Sequence, residues 1–333
     1  MDVFLIKPKL AEFSEPSVPM DELAVFYTTI GLQAKEGRPY IWSNSMTTLD
    51  GYMHFKATAN QVKGEAQIVA KNEYEHGSIE SDVALKRHPD AGPYSLADYR
   101  LLNAGWVFAD AVLSSGPCVR TDPLLRHVPI FKDMQHYRQN TLKKPFAPFQ
   151  ILVSSTASSF AFDSHAMFNS SDIPVVVASL SEDVQRAEES YLASRTPLSN
   201  SRLWNPQSDP LHAPGTVRFV SFPASTKDPR GIDLNRLAEW LKQELDVTFL
   251  EIDAGGSMIR KMIDDKLIDE VRLTQVGHVI GVNDSTGLPR PSLFNCPGGD
   301  TYDADHSPVF RMAAIRSIGD HFLFLRTILE YRH

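Results

Sequence analysis

The stretch FLEIDAGGSMIRKMIDDKLIDEVRLTQVGHVIG, residues 249–281, decides how this chain reads. It opens as a short apolar strand, breaks at Gly255 and Gly256, and continues from Ser257 as a helix whose apolar stripe is Met258, Ile259, Met262, Ile263 and Leu267. Two glycines at a strand-to-helix turn let a phosphate approach the backbone, and the free N–H groups and dipole of the helix start favour an anion there. The plainer reading of the same pair is tight packing of helix on sheet. Neither GxGxxG nor GxxxxGK[ST] occurs, so no standard dinucleotide fingerprint or Walker loop is present.

Working outward, the same alternation repeats. YIWSNSM (40–46), DAVLS (110–114), FQILVSS (149–155), IPVVVAS (173–179), VRFVSF (217–222) and VTFLEI (247–252) read as strands, several as the continuous apolar runs of buried parallel strands. Helices are expected at 95–109, with Ser95 and Asp98 as a capping box, after Ser181 as a cap, and over IDLNRLAEWLKQEL with Leu234, Leu237, Leu241 and Leu245 on one stripe. PVFRMAAIRS and HFLFLRTILEYR, around Gly319, suggest a final antiparallel hairpin. The expected fold is α/β, with a mainly parallel central sheet flanked by helices and closed by that C-terminal hairpin. Three polar or turn-rich stretches, about 56–94, 196–215 and 283–308, interrupt the order as long loops.

Composition excludes several classes. The chain has 333 residues, 42% hydrophobic and 22% charged, enough for a sizeable core. No window approaches the roughly 18 consecutive apolar residues of a membrane helix. The start lacks the layout of a secretory signal, so a cytoplasmic protein is expected. Net charge is -8 and no lysine or arginine cluster occurs, which argues against nucleic acid as a partner. Cys118 and Cys296 form no CxxC pair, and the eleven histidines are spread singly without HExxH, so no disulfide framework and no metal site are expected. The serine-rich stretch 154–172 lacks a GxSxG elbow.

Three blocks carry a resemblance. RPYIWSNSMTTLDGYM (38–53), ADAVLSSGPCVRTDPLL (109–125) and AGGSMIRKMIDDKLIDEVRL (254–273) resemble, in this order, the conserved blocks of the riboflavin-pathway pyrimidine reductases. These form the RibD C-terminal family of the dihydrofolate reductase-like fold. The resemblance covers roughly 38–330. It implies a single domain over 38–333 with three loop insertions and residues 1–37 as an N-terminal extension. It also implies NADPH as cofactor and hydride transfer to a small heterocyclic or imine-like molecule.

Carried over by position, Asp50 and Thr48 are the implied catalytic pair, where substrate and nicotinamide should meet. A carboxylate there would anchor an amino-pyrimidine edge or stabilise positive charge on an imine. The plainer reading of Asp50 is an Asx-type turn before Gly51. Asn44, Thr47, Arg120 and Arg126 are the substrate candidates, the arginines for a phosphate. Ser115, Gly116, Val119 and Thr121 match the family's second phosphate-side loop, and Gly255, Gly256, Ser257 and Met258 its pyrophosphate turn. Ser154 and Ser155, with Thr156, fall where the family meets the adenosine ribose and its extra phosphate. The chain departs from the family pattern at Tyr52, Pro117, Thr121 and Ala254. Those departures leave open a reductase of another small molecule in a specialised pathway, or a paralogue that binds without turnover. The apolar segment HFLFLRTILEY is too apolar for a bare edge strand. A homodimer burying Phe322, Phe324 and Leu325 is therefore expected, with the loops at 56–94 and 196–215 near the mouth of the site.

Overall fold

The computed structural model describes residues 11–15, 17–28, 32–53, 94–196, 199–283, 286–290, 292–294, 302–303, 305, 307–318 and 322–331. Along the chain these form β1 (Ala11–Glu12), α1 (Met20–Thr28), β2 (Tyr40–Thr48), α2 (Tyr94–Phe108), β3 (Ala111–Ser115), α3 (Gly116–Thr121), α4 (Lys132–His136), β4 (Phe149–Val153), β5 (Val175–Leu180), α5 (Ser181–Ala193), β6 (Arg202–Leu203), β7 (Thr216–Phe222), α6 (Leu234–Leu245), β8 (Phe249–Ile252), α7 (Gly256–Asp264), β9 (Glu270–Val276), β10 (Val309–Ile318) and β11 (Phe322–Glu330). Two compact units divide them. Unit 1 spans Met1–Gly31, Trp42–Leu102 and Ile259–His333, and unit 2 spans Leu32–Ile41 and Asn103–Met258. Among the described residues no helix is long and apolar enough to cross a membrane.

Unit 2 holds six parallel strands in the order β8-β3-β4-β5-β7-β6. Every residue of β3, β4 and β5 is buried. Burial on both faces is the reason their sequences run apolar without alternation. α5 lies in the crossover between the parallel neighbours β5 and β7, and α6 in the connection that returns from β7 to β8. Asp233 caps α6, accepting from the Asn235 N–H at 3.0 Å and the Arg236 N–H at 3.1 Å, so that helix starts two residues later than its sequence suggested. Ser181 is not a cap: it is the first helical residue of α5, behind Leu180. Asp183 of α5 turns inward and accepts from the Ser158 N–H at 3.1 Å and the Ser179 hydroxyl at 2.9 Å, tying the helix to the loop after β4. The expected insertion at 196–215 meets the amino end of β4, not its carboxyl end. It supplies β6, the strand at the opposite edge from β8, and His212 packs at 4.5 Å on Phe149, which begins β4. The 56–94 insertion falls outside the described residues except for its last position.

Unit 1 orders its strands β1-β10-β11-β9-β2. β2 and β9 are parallel, and β9, β11 and β10 are successively antiparallel, as the expected hairpin requires. β11 is therefore no edge. Phe322 and Phe324 are buried within the chain, and Phe324 packs at 5.4 Å on Phe13, so they are unavailable for the isologous contact expected of them. The N-terminal segment joins this unit rather than standing outside it: β1 pairs with β10, and Phe26 and Tyr27 of α1 are fully buried. Ser95 lies inside the first turn of α2, not ahead of it. Asp98 is not a helix cap but is buried and bonded to the Thr274 side chain, and burial pushes its carboxyl up to about 6.

A buried ion cluster anchors β9 to β11. Glu270 accepts from Arg326 through Nε at 2.7 Å and Nη2 at 2.9 Å, and from Arg272 Nε at 2.5 Å. Arg326 also donates to the Phe26 carbonyl at 2.7 Å, and the Arg272 guanidinium stacks between Tyr27 and Trp42 at 3.9 and 4.4 Å. Burial alone would raise the Glu270 carboxyl, but the two guanidinium groups hold it down to about 2.

Candidate functional site

In unit 2, β8, β3 and β4 are neighbours that run parallel, so their carboxyl ends lie at one edge of the sheet. Leaving those ends are the Asp253–Gly256 turn, the Ser115–Thr121 segment and Ser154–Thr156. These are the three segments nominated for the nucleotide from sequence, and the sheet brings them together.

Gly116 begins α3 in close quarters. A Cβ there would stand 2.9 Å from Arg120 Nη1, 2.9 Å from Ser154 Oγ and 3.1 Å from Ser154 Cβ. Glycine is thus what allows Ser154 and the guanidinium to approach the chain at this point. Arg120 donates through Nη2 to the Thr156 carbonyl and hydroxyl, each at 3.0 Å, and to Ser159 Oγ at 2.9 Å, and it lies 4.2 Å over the Phe160 ring. It was expected to meet substrate. The structure puts it with the strand-end hydroxyls nominated for the nucleotide.

Other members differ in what they offer. Val119 is fully buried in the core of unit 2, so only its backbone faces outward chemistry. The Thr121 hydroxyl turns back to its own helix, donating to the Pro117 carbonyl at 3.1 Å and the Cys118 carbonyl at 2.9 Å. Ser115 donates to Cys118 Sγ at 3.2 Å. Gly255 has open space where a Cβ would stand, which suits close approach of a ligand. Its backbone lies beside the Cys118 thiol. Burial pushes that thiol above its usual range. Ser257 is exposed and Met258 half-buried at the start of α7. Arg126 faces Asp172 at 2.5 Å instead of an open site.

In unit 1, β2 runs two residues beyond its expected end, and buried Thr47 and Thr48 are its last members. Asp50 follows on the turn to Gly51, whose φ of +84° is the left-handed conformation that favours glycine. Thr48 Oγ1 donates to Asp50 Oδ1 at 2.6 Å, and Asp50 Oδ2 accepts from the N–H groups of Ile280 at 3.1 Å and Gly281 at 2.7 Å. Burial raises the Asp50 carboxyl, but the bonds from Thr48, Gly281 and Ile280 together outweigh it and hold it below the usual carboxylate range. Asp50 is thus both turn chemistry and an exposed anion, fixed in place by two loops. Around it Leu49, Val279 and Val282 are exposed at 54%, 75% and 62%. Arg290, on the same loop, donates to the carbonyls of Ile280, Gly281 and Asn283. Asn44, further back on β2, donates to the Tyr27 hydroxyl at 3.4 Å.

His127, Asp253 and Cys118 were not singled out for the site from sequence. His127 is fully buried, with Nε2 3.0 Å from the Asp253 carboxylate. The available signal was Gln150, a lone amide inside the apolar run FQILV, since a buried amide requires a partner.

The model of the RibD C-terminal domain matches residues 39–296 of this chain. Among solved structures, a pyrimidine reductase-like protein from Corynebacterium diphtheriae is 16% identical, with a TM-score of 0.54 over 88% of this chain and 92% of the other. The riboflavin biosynthesis reductase Rib7 of Saccharomyces cerevisiae is 12% identical, with a TM-score of 0.49 over 93% and 98%. Acinetobacter baumannii RibD is 13% identical, with a TM-score of 0.49 over 89% of this chain and 59% of its own. The first of these shows a shared fold. No curated protein matches the sequence significantly.

Proposed function

The chain belongs to the RibD C-terminal domain family, and on that premise we propose that it is a reductase taking a hydride from NADPH and delivering it to a small heterocyclic or imine-like substrate. The observation that carries the cofactor half of this reading is the common edge formed by the carboxyl ends of β8, β3 and β4. In open parallel sheets, ligands bind outside the carboxyl ends of the strands. The groups gathered there suit a phosphorylated nucleotide: the Arg120 guanidinium, the hydroxyls of Ser115, Ser154, Ser155 and Thr156, and the open backbone at Gly255. Gly116, Gly256, Ser257 and Met258 contribute main chain, as do Val119 and Thr121, whose side chains are engaged elsewhere. Ser154, Ser155 and Thr156 meet the end that distinguishes NADPH from NADH. The cofactor supplies the hydride when bound.

This chain's residues supply the rest. Asp50, kept anionic by Thr48 and the 280–281 loop, accepts from a substrate amine or stabilises positive charge on an imine. Thr48 is its positioning partner, and Thr47 and Asn44 line the same strand. Titration of the purified protein with NADPH and NADH tests the cofactor half, and equal dissociation constants would defeat it.

For the substrate, riboflavin-pathway aminopyrimidinone phosphates are the first choice by family. A reductase of a different, phosphate-free small molecule is the second reading, favoured by one observation. The described rim of Asp50 is apolar, and its nearby cation, Arg290, donates to backbone carbonyls. Turnover of phosphorylated against dephosphorylated aminopyrimidines separates the two. Tight NADPH binding with no turnover on any pterin, aminopyrimidine or imine would point instead to a non-catalytic paralogue. A homodimer and a cytoplasmic location complete the proposal, both resting on family likeness.

A further inference from the structure

The buried imidazole of His127 has no part in the chemistry above, yet it sits directly beneath the turn assigned to the nucleotide. Its surroundings fix its role. Gln150, itself fully buried, donates through Nε2 to the His127 carbonyl at 3.1 Å and the Pro148 carbonyl at 3.0 Å. With both amide hydrogens on carbonyls, its Oε1 must face the histidine, where it accepts the His127 N–H at 2.9 Å and lies 3.0 Å from Nδ1. An amide oxygen only accepts, so Nδ1 is a donor. Trp106 packs edge-on against the ring at 5.4 Å.

The other nitrogen, Nε2, is 3.0 Å from Asp253 Oδ2 and 3.3 Å from Ser114 Oγ. Serine and carboxylate thus share one ring nitrogen, whereas a nucleophilic triad needs them on opposite nitrogens. The cluster is therefore no hydrolytic site. It holds instead. Asp253 is the residue at which β8 becomes the Gly255–Gly256 turn, and its N–H is bonded to the Leu113 carbonyl at 3.0 Å. Its side chain is 30% exposed, so the carboxylate spans from the buried ring to the open side of the turn. Cys118, at the start of α3, is the other titratable group that faces Asp253.

We propose that His127 is a positioning residue for the nucleotide: clamped by Gln150, it holds the Asp253 carboxylate and so fixes the Asp253–Gly256 turn in the conformation that receives the pyrophosphate. The proposal rests on the cofactor reading given above, but part of its test does not.

Asp253→Ala, His127→Gln and the double variant are compared with the parent by NADPH titration and by amide hydrogen exchange of the ligand-free proteins. Each single variant is expected to weaken NADPH binding about tenfold, the loss of one hydrogen bond to a charged group. The double variant should be no weaker than the poorer single one, because both act through one contact. Exchange at residues 254–257 should quicken without NADPH present, while amides of β5 and α5 stay protected. Unchanged exchange at the turn in Asp253→Ala would overturn the positioning role, even if NADPH affinity fell, since Asp253 would then act on the nucleotide directly. A parent protein that fails to bind NADPH would sink the cofactor reading alone, and the exchange result would still decide the role of His127.

Discussion

Substituting Asp50 by asparagine separates the two things this residue does, and the structure sets the size of each. The carboxylate accepts three hydrogen bonds, one from Thr48 and two from the Ile280 and Gly281 N–H groups. An asparagine oxygen can take the place of Oδ2 and still accept both backbone donors. The amide nitrogen then faces Thr48 Oγ1, whose own proton can turn to the Tyr52 carbonyl 3.3 Å away. No donor is left stranded. What disappears is the charge in two exposed bonds, a loss of about 1 kcal/mol after screening by solvent. Asp50→Ala removes all three acceptors and should cost about 2 to 3 kcal/mol, with the turn at Gly51 loosened. Turnover should respond in a different proportion. If the anion meets charge developing on the substrate, Asp50→Asn lowers kcat by about a hundredfold or more, the scale of a positioned acid or base. NADPH affinity and the urea midpoint should stay near those of the parent. NADPH consumption with the responsive substrate, alongside equilibrium unfolding, provides the assay. A variant that keeps parental kcat would show that Asp50 serves the turn alone.

Three further expectations follow from the same geometry. Glu270→Gln leaves the fully buried Arg326 and nearly buried Arg272 without their anion, and should cost about 3 to 5 kcal/mol in urea unfolding; a loss below about 1 kcal/mol would mean the cluster is not what ties β9 to β11. Asp98 has its folded pKa raised from 3.8 to about 6, so the folded state binds the proton more tightly and stability falls as pH rises through that window; Asp98→Asn should therefore gain up to about 3 kcal/mol at neutral pH and nothing at acid pH, and equal gain at both would refute the assignment. Gly116→Ala places a methyl group 2.9 Å from both Arg120 Nη1 and Ser154 Oγ; it should weaken NADPH binding about tenfold by displacing them, and an unchanged dissociation constant would remove both groups from the nucleotide's contacts.

What could be read in the sequence was what local burial dictates. Strands covered on both faces run apolar apart from single partnered residues such as Gln150, so β4 and β5 announce themselves, and the turn of β8 into α7 shows as a change of apolar period from strand to helix. Pairings between distant positions leave no such trace. Glu270 and Arg326 lie 56 positions apart, and in sequence each charged residue within its strand looks like a solvent-facing member of an alternating pattern. Only the strand order, with β11 between β9 and β10, makes them a buried pair. The same order explains the misreading of the C-terminal strand. Its phenylalanines read in sequence as an edge in need of a partner chain, whereas β10 and the N-terminal segment cover them.

The candidate site divides along the same line. Gly255, Gly256 and Ser154 could be nominated because their place at strand ends follows from the strands themselves. His127 could not, since a lone histidine acquires meaning only when Gln150, 23 positions away, and Asp253 close around it. Arg120 shows the limit from the other direction. Its sequence position suggested a phosphate partner without saying which molecule carried it, and the short reach to Thr156 and Ser159 groups it with the hydroxyls beyond the end of β4. Residue type restricts a side chain to a kind of chemistry, whereas the neighbour supplied by the sheet decides which ligand receives it. For this chain the cluster at the carboxyl ends of β8, β3 and β4 is therefore the better defined half. The substrate end depends on Asp50, whose hydrogen bonds within the chain account for its position and leave its partner to be found by turnover.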